Sequence, residues 1–340
     1  MTTKNIRVLF SDTHNPWFNL ATEDWIFRDM DPETAVLYLW RNQETVVIGR
    51  FQNPWIECNT KRMEEDNVIL SRRQSGGGAV FHDLGNTNFT FMNGKAQYDK
   101  QVNNKIITNA IKKFDINAYA SGRNDILVDL PDGPRKISGS AFKEAKDRSF
   151  HHGTLLINAN LGKLANYLNP DEKKLVSKGV KSVRSRVANL TEFNPKLTHE
   201  DLCQNIVQEF FDHYQQECKI EHLDDAWLKT IKPLNDYYQN LKDWKWRFGE
   251  TPKFNHHLSA RFGWGGMDIH LDVHKGVILG ATIFSDSLHP EMIELLSSAF
   301  KGIDYTAKDV SLMIDGVAKE LPMISDYLSE LRSWIITQIS

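Results

Sequence analysis

Three consecutive glycines stand directly behind two arginines and directly before an apolar step, in the stretch Arg72-Arg73-Gln74-Ser75-Gly76-Gly77-Gly78-Ala79-Val80-Phe81-His82-Asp83. Glycine gives up more backbone freedom on ordering than any other residue, so such a run is costly and a purely structural turn seldom needs it. A loop of this kind brings backbone N–H groups close to a ligand with no Cβ in the way, and the arginines add fixed charge suited to phosphate or carboxylate. Taken alone, the stretch fits either a loop that grips an anionic group or a glycine-rich hairpin flanked by surface arginines. Two common phosphate-binding patterns are disfavoured. No Gly-Lys-Ser/Thr follows at Walker A spacing. The glycines also lack the G-x-G-x-x-G spacing and the βαβ setting of a dinucleotide fingerprint.

The flanking residues give the fold class. Residues 6–10, 35–40, 45–48 and 68–71 read as strands, and the polar break at 41–44 suggests a hairpin between the second and third. Asn15 with Pro16 marks a helix start, continued by Phe18, Leu20, Ala21, Trp25 and Ile26. Residues 61–67 read as a short polar helix and 100–114 as a longer one. Strands follow at 79–81, 88–92, 126–128, 136–137 and 154–157, the last two separated by 142–152. Residues 163–186 are polar and lysine-rich and read as a loop with short helices, and 199–214 form an amphipathic helix capped by Thr198 and Asp201. Near 244–254 aromatics alternate with charge before Gly249, Thr251 and Pro252 break regular structure. Beyond this break, strands 267–273 and 277–284 flank a His274-Lys275-Gly276 turn, and helices lie near 290–299 and 323–339. The pattern is α+β with a mixed sheet, followed by a small αβ module.

With 340 residues the chain has room for two domains. A formal charge of -3 argues against whole-protein attraction to nucleic acid. The three cysteines, Cys58, Cys203 and Cys218, form no metal pattern, and none lies in a basic or glycine-rich stretch that would activate it. The first residues form no charged-then-apolar leader, and no apolar run is long enough to span a bilayer, so the expectation is a cytoplasmic protein.

Further constellations carry chemistry. Gly122-Arg123-Asn124-Asp125 precedes Lys136-Ile137-Ser138-Gly139-Ser140-Ala141, where a lysine among small residues can act as a point charge on a carboxylate or phosphate oxygen, or be a solvated strand-edge lysine. His151-His152 is a metal-ligand candidate without a further ligand at diagnostic spacing, and a hydrogen-bonded structural role is the simpler reading for at least one of the two. The segment 178–186 is the most basic in the chain, either a solvated face or a surface for an acidic partner.

Together, residues 72–86, Pro16-Trp17-Phe18-Asn19-Leu20-Ala21, 121–125, 136–141, 151–156, 165–170, 182–187 and Trp264-Gly265-Gly266 resemble, in order, the motifs of the lipoate–protein ligase family. The likeness covers nearly the whole chain. It implies a large catalytic domain resembling that of biotin ligases over 1–246, a hinge at 247–253 and a small accessory domain over 254–340. It also implies ATP-dependent activation of lipoate to lipoyl-adenylate with Mg2+, its ligands open. Transfer would follow to a lysine of apo lipoyl domains of 2-oxoacid dehydrogenase complexes or of the glycine-cleavage H protein.

By position, Lys136 is the catalytic lysine, and Arg73, Gly76, Gly77, Gly78, Ala79, Val80 and Phe81 hold the adenylate. Arg72, Ser75, Asn124, Asp125, His152 and Trp40 are further site candidates, with Trp40 and Phe81 lining an apolar slot. A monomer with no nucleic-acid or membrane partner is expected. The rival readings are a lipoyl or octanoyl transferase without the activation step, a biotin–protein ligase, and a non-catalytic lipoate- or nucleotide-binding protein. Relatives among the transferases commonly depend on a cysteine in a setting this chain lacks, and the Gly-Arg-Gly-Arg loop of biotin ligases is missing.

Overall fold

The computed structural model describes residues 5–52, 54–122, 124–168, 187–248, 256–274 and 277–339. The expected hinge at 249–253, the basic segment 178–186, Arg123, residues 169–170 and 182–186 of the quoted motifs, and Lys275-Gly276 of the hairpin turn lie outside these residues.

The chain divides into two compact units, one comprising Met1–Ile48, Pro54–Gln74 and Ala79–Arg247, the other Gly49–Asn53, Ser75–Gly78 and Phe248–Ser340. The first is built on an eight-stranded sheet among the described residues, in the order β11-β1-β2-β6-β10-β9-β8-β7. Its strands are β1 (Asn5–Ser11), β2 (Thr34–Trp40), β6 (Asn86–Gly94), β7 (Ala118–Ser121), β8 (Asp125–Leu130), β9 (Gly133–Glu144), β10 (Arg148–Leu156) and β11 (Ile220–Leu223). β1 runs parallel to both neighbours and the remaining pairs are antiparallel, so the sheet is mixed, as the α+β reading expects. A small sheet in the same unit orders β4-β3-β5, from β3 (Thr45–Ile48), β4 (Ile69–Arg72) and β5 (Val80–His82).

Both faces of the large sheet are covered. Ala35, Leu37 and Leu39 of β2, with Phe89 and Phe91 of β6, pack in the core that holds apolar residues of helices Lys100–Lys112 and His199–Tyr214. Val36, Tyr38 and Trp40 point the other way, into a core shared with Phe18, Leu20 and Ile26 of helix Pro16–Asp29 and Leu234 of helix Lys232–Lys242. The helix starts behave as their local chemistry dictates. Asn15 accepts from the Trp17 and Phe18 N–H groups with Pro16 at the first position, and Thr198 accepts from Asp201 N–H.

Two expectations need correction. β2 and β3 do not form a hairpin: β2 pairs with β1 and β6, whereas β3 pairs with β4 and β5. Every residue of both strands is buried, so neither shows the in–out alternation that reports pairing. Between them, Asn42 is fully buried and its side-chain oxygen accepts from Asn19 Nδ2 at 2.9 Å, which ties the connection to helix Pro16–Asp29. The stretch 142–152 is strand except for a short turn, since β9 runs to Glu144 and β10 begins at Arg148. Polar residues there hid two long antiparallel partners.

The second unit holds β12 (His256–Phe262), β13 (Gly265–His274) and β14 (Val277–Ser285) in one antiparallel sheet, its last two strands forming the expected hairpin. Helices Pro290–Ala299, Ala307–Glu320 and Ser325–Ile339 pack on one face through Ile293, Leu296, Ile314, Leu328, Leu331 and Ile335. The middle helix was not foreseen. Gly49–Asn53 and Ser75–Gly78 also belong to this unit. Ser285 N–H donates to the Phe51 carbonyl at 2.6 Å and Gly77 N–H to the Ser287 carbonyl at 2.9 Å. These are backbone pairings, which leave no side-chain pattern to read.

Candidate active site

Strand alternation decides which side chains of the first unit share a face. Thr90 lies between Phe89 and Phe91, so it faces away from their core, and Tyr38 and Trp40 of β2 share its side. Ile126 and Ile137 are buried in the Phe89 core, which turns Asp125 and Lys136 to the opposite face. His152 follows by the same parity from Phe150. The strand order β2-β6-β10-β9-β8 then places Trp40, Thr90, His152, Lys136 and Asp125 in a polar row on one face that steps along the strands, since Thr90 pairs with His152, His152 with Ala141, and Lys136 stands five residues before Ala141.

The row is connected at one end. Trp40 Nε1 donates to Thr90 Oγ1 at 3.2 Å, and Thr90 Oγ1 donates to Glu23 Oε1 at 2.6 Å. His152 Nδ1 lies 2.8 and 3.0 Å from the two Glu23 oxygens. A carboxylate only accepts, so Nδ1 carries a proton and the ring orientation is set. All four residues are buried. Beside them His82 is wholly buried, with its ring edge-on to Trp40 at 6.1 Å. Burial first, then the charges of Arg73 and His152, push His82 down to about 3, so the imidazole is neutral. Its Nδ1 accepts from Asn42 Nδ2 at 3.2 Å, which leaves the proton on Nε2, and that atom has no partner in the described structure. A buried donor left unmatched costs about 1–3 kcal/mol, a deficit that a bound polar group would remove. His82 and Glu23 were not foreseen as site residues. His82 stood inside the quoted glycine-loop motif, whereas Glu23 is an acidic residue in a helix and gives no sequence signal.

At the other end, Lys136 Nζ lies 2.7 Å from Asp125 Oδ1, both side chains largely covered. A bulge between Ile126 and Leu127 sets Leu127 opposite Lys136 and Asp125 opposite Gly139. Gly139 makes room for the lysine: a Cβ there would stand 2.7 Å from Lys136 Nζ and 2.9 Å from its Cε. Asn124 Nδ2 donates to the Ser140 carbonyl at 3.1 Å and Ser140 N–H to the Asn124 carbonyl at 2.8 Å, so Asn124 holds β9 in place. The crowd of small residues after Lys136 is therefore what lets its side chain lie flat beside Asp125.

The arginines divide their work. Arg72 is buried and its guanidinium donates to the carbonyls of Trp246 and Arg247, each at 2.9 Å, while Trp246 Nε1 donates back to the Arg72 carbonyl at 3.0 Å. Arg72 thus clamps the helix Trp244–Phe248. Arg73 donates to the Val47 carbonyl at 3.1 Å and lies close enough to His82 to lower it. The structure therefore groups Arg73, His82, His152 and Trp40. Val80, not Phe81, packs in the cluster that holds Trp40, because Phe81 points the other way from β5 and meets the Tyr167 ring at a tilt, centroids 5.4 Å apart. Trp40 shares this cluster with Val47 and Val80, and Phe81 is not among its members.

Ser75, Gly76, Gly77 and Gly78 belong to the other unit. A Cβ on Gly76 would meet the Ser287 carbonyl oxygen at 2.0 Å, and Gly77 has φ +89°, a region that favours glycine. Only at Gly78 is the space for a Cβ open. Packing at Gly76 and backbone conformation at Gly77 therefore account for two of the three glycines.

His151 and His152, adjacent in sequence, face opposite sides of β10 and are not a ligand pair. His151 is wholly buried among Phe89, Phe91 and Phe142, with neither ring nitrogen bonded, and burial drives it well below the usual imidazole range. Its structural role is aromatic packing, and the hydrogen-bonded role expected of at least one of the two falls to His152 through Glu23. Burial also pushes the thiols of Cys58 and Cys203 up to about 12 and raises that of Cys218, the reverse of an activated nucleophile.

Residues 15–211 match the lipoyl protein ligase A/B catalytic domain family, and residues 251–335 match the bacterial lipoate protein ligase C-terminus. The chain belongs to the lipoate–protein ligase family. A lipoate-protein ligase A from Psychrobacter cryohalolentis is 51% identical over 339 residues, covering 98% of this chain and 99% of that protein. P. falciparum LipL1, solved in complex with lipoate, superposes with a TM-score of 0.86 at 37% identity, over 98% of this chain and 99% of that one. A bi-partite lipoate protein ligase from Thermoplasma acidophilum, described with its E2 lipoyl domain, gives a TM-score of 0.64 at 25% identity, over 74% of this chain and 99% of that one. The lipoate–protein ligase fold thus extends over both units of the chain. Among the described residues no helix is long and apolar enough to cross a membrane.

Proposed function

We propose that this lipoate–protein ligase activates lipoate with ATP and transfers the lipoyl group to lysines of apo lipoyl domains and of the glycine-cleavage H protein, acting as a cytoplasmic monomer. The observation that carries the reading is the Lys136–Asp125 pair on the same sheet face as the buried Trp40–Thr90–Glu23–His152 row. In the first step a lipoate carboxylate oxygen attacks the α-phosphorus and the bond to pyrophosphate breaks. Lys136 supplies fixed positive charge where negative charge builds, without reorganisation. In the second step the acceptor amine attacks the acyl carbonyl, AMP departs with the bonding electrons, and the amine gives up a proton. Arg73 and the stretch 76–81 hold the adenylate in this reading, with Trp40, Val47 and Val80 taking the aliphatic chain and dithiolane. The Nε2–H of His82 offers a donor to a polar atom of the ligand.

A magnesium ion fits the donor set, since a hard cation takes carboxylate and phosphate oxygens and Asp125 is the carboxylate beside Lys136. When bound it neutralises phosphate charge. The roles of 1–246 as catalytic part, 247–253 as hinge and 254–340 as accessory part belong to the same proposal.

The test is to mix the protein with ATP, Mg2+, lipoate and an apo lipoyl domain and weigh the domain by mass spectrometry. Addition of one lipoyl mass, dependent on ATP, is expected. Addition only when lipoyl-adenylate is supplied would replace the activation reading by that of a transferase without the first step. The raised thiols already speak against a cysteine-dependent transferase.

A further inference from the structure

The second unit carries a cluster that the ligation reaction does not use. His257 on β12 pairs directly with His270 on β13, and Asp268 stands two residues before His270, so all three side chains share one face of the sheet. It is the outer face, because Leu258, Ile269 and Ile283 alternate with these positions and face the core. The imidazoles stack with centroids 4.5 Å apart and planes 17° apart. Both Nε2 atoms converge on one carboxylate oxygen: His270 Nε2 lies 3.2 Å from Asp268 Oδ1, and His257 Nε2 contacts the same atom. The three ligand atoms all lie within 4.8 Å of one another.

The surroundings hold this arrangement. Phe284 of β14 packs edge-on against His270 at 5.5 Å and walls one side. Asp268 and His270 are about four-fifths covered, while His257 is more than half exposed and leaves a path from solvent. A divalent ion among the three atoms satisfies both imidazoles and the carboxylate at once.

The geometry points to a transition-metal site made by His257, Asp268 and His270 that bridges β12 and β13, with zinc as its ion. Two imidazoles and one carboxylate suit a borderline ion such as Zn2+, not the all-oxygen preference of Mg2+ or Ca2+. Three protein ligands leave a fourth position for water. The ion links two neighbouring strands, so its binding stabilises the folded chain.

The site is tested on the full, untagged chain after chelator treatment, with Zn2+ titrated against a chromophoric chelator and Co2+ followed by visible absorption. The expected result is about one tightly held zinc per chain, the absorption bands of a four-coordinate cobalt site, and a zinc-dependent rise in melting temperature. Asp268→Asn and His270→Ala should each weaken zinc binding about tenfold or more. His256→Ala, whose ring rests on Tyr305, should leave binding unchanged. If a β13 variant fails to fold, His257→Ala at the most exposed ligand carries the same test. No zinc retained against the chelator, or affinity unchanged in folded ligand variants, overturns the site.

Discussion

Lys136 lies across Gly139 with its ammonium 2.7 Å from Asp125, so the position of one charge rests on the absence of one methyl group. Replacing Lys136 with alanine should lower ATP- and lipoate-dependent pyrophosphate release by about 100-fold or more, the usual loss when a fixed electrostatic group aimed at a developing anion is removed. Circular dichroism and melting should stay near those of the parent; near-normal release from the folded variant would refute the role. Gly139→Ala tests the same charge without removing it. The new Cβ meets only the flexible end of the lysine, so the fold should survive while the ammonium moves, and pyrophosphate release should fall by about tenfold or more. A melting collapse, or an unchanged rate, would show that Gly139 does not position Lys136. Both residues were legible in the sequence because the small residues that shape the lysine's bed are its near neighbours.

At the scale of elements, backbone contacts carry more of the architecture than side-chain pattern suggests. Arg72 ties β4 to the helix Trp244–Phe248 through two carbonyls, and charged donors to such acceptors are worth about 1.5–3 kcal/mol in a buried setting. Arg72→Lys should lower stability by about that amount in urea unfolding, because an ammonium cannot span both acceptors as the guanidinium fork does. A midpoint equal to the parent's would remove the clamp from the account. In the second unit, Gly76→Ala sets a Cβ 2.0 Å from the Ser287 carbonyl, where neither partner is a flexible side chain. A loss of about 1–3 kcal/mol, seen as a lower unfolding midpoint, is expected. The glycine run and the arginines were conspicuous in the sequence, but the packing partners of Arg72 and Gly76 lie some 170 to 210 residues away. The false hairpin between β2 and β3 has a related cause, since continuous burial erases the alternation that tells a strand its neighbour.

For the whole molecule, buried imidazoles couple folding to pH. His82 is pushed down to about 3 in the folded chain, against an ordinary value near 6.5, and His151 moves in the same direction. Between those limits the unfolded chain binds more protons than the folded one, so stability rises with pH and is lost as pH falls below about 6.5. His82 alone should cost on the order of 2 kcal/mol by pH 5. Urea midpoints measured from pH 7.5 to 5 should fall accordingly, and His82→Asn should flatten part of the slope. A slope unchanged in that variant would mean that His82 is not buried and neutral. The same ring is the donor left for a ligand, so saturating lipoate should raise the midpoint in the parent more than in His82→Asn.

What the sequence determined by itself is whatever acts over a few residues: helix starts at Asn15 and Thr198, the β13–β14 hairpin, the Lys136 motif, and the ordered motifs that mark the lipoate–protein ligase family. Tertiary structure alone decided which strands pair, that His151 and His152 part to opposite faces, that Val80 takes the place beside Trp40, and that His257 meets Asp268 and His270. The physical reason is one of range. Caps, turns and side-chain spacing are set by neighbours along the chain, whereas sheet pairing and buried convergence depend on backbone and shape contacts between distant segments, which no local pattern records.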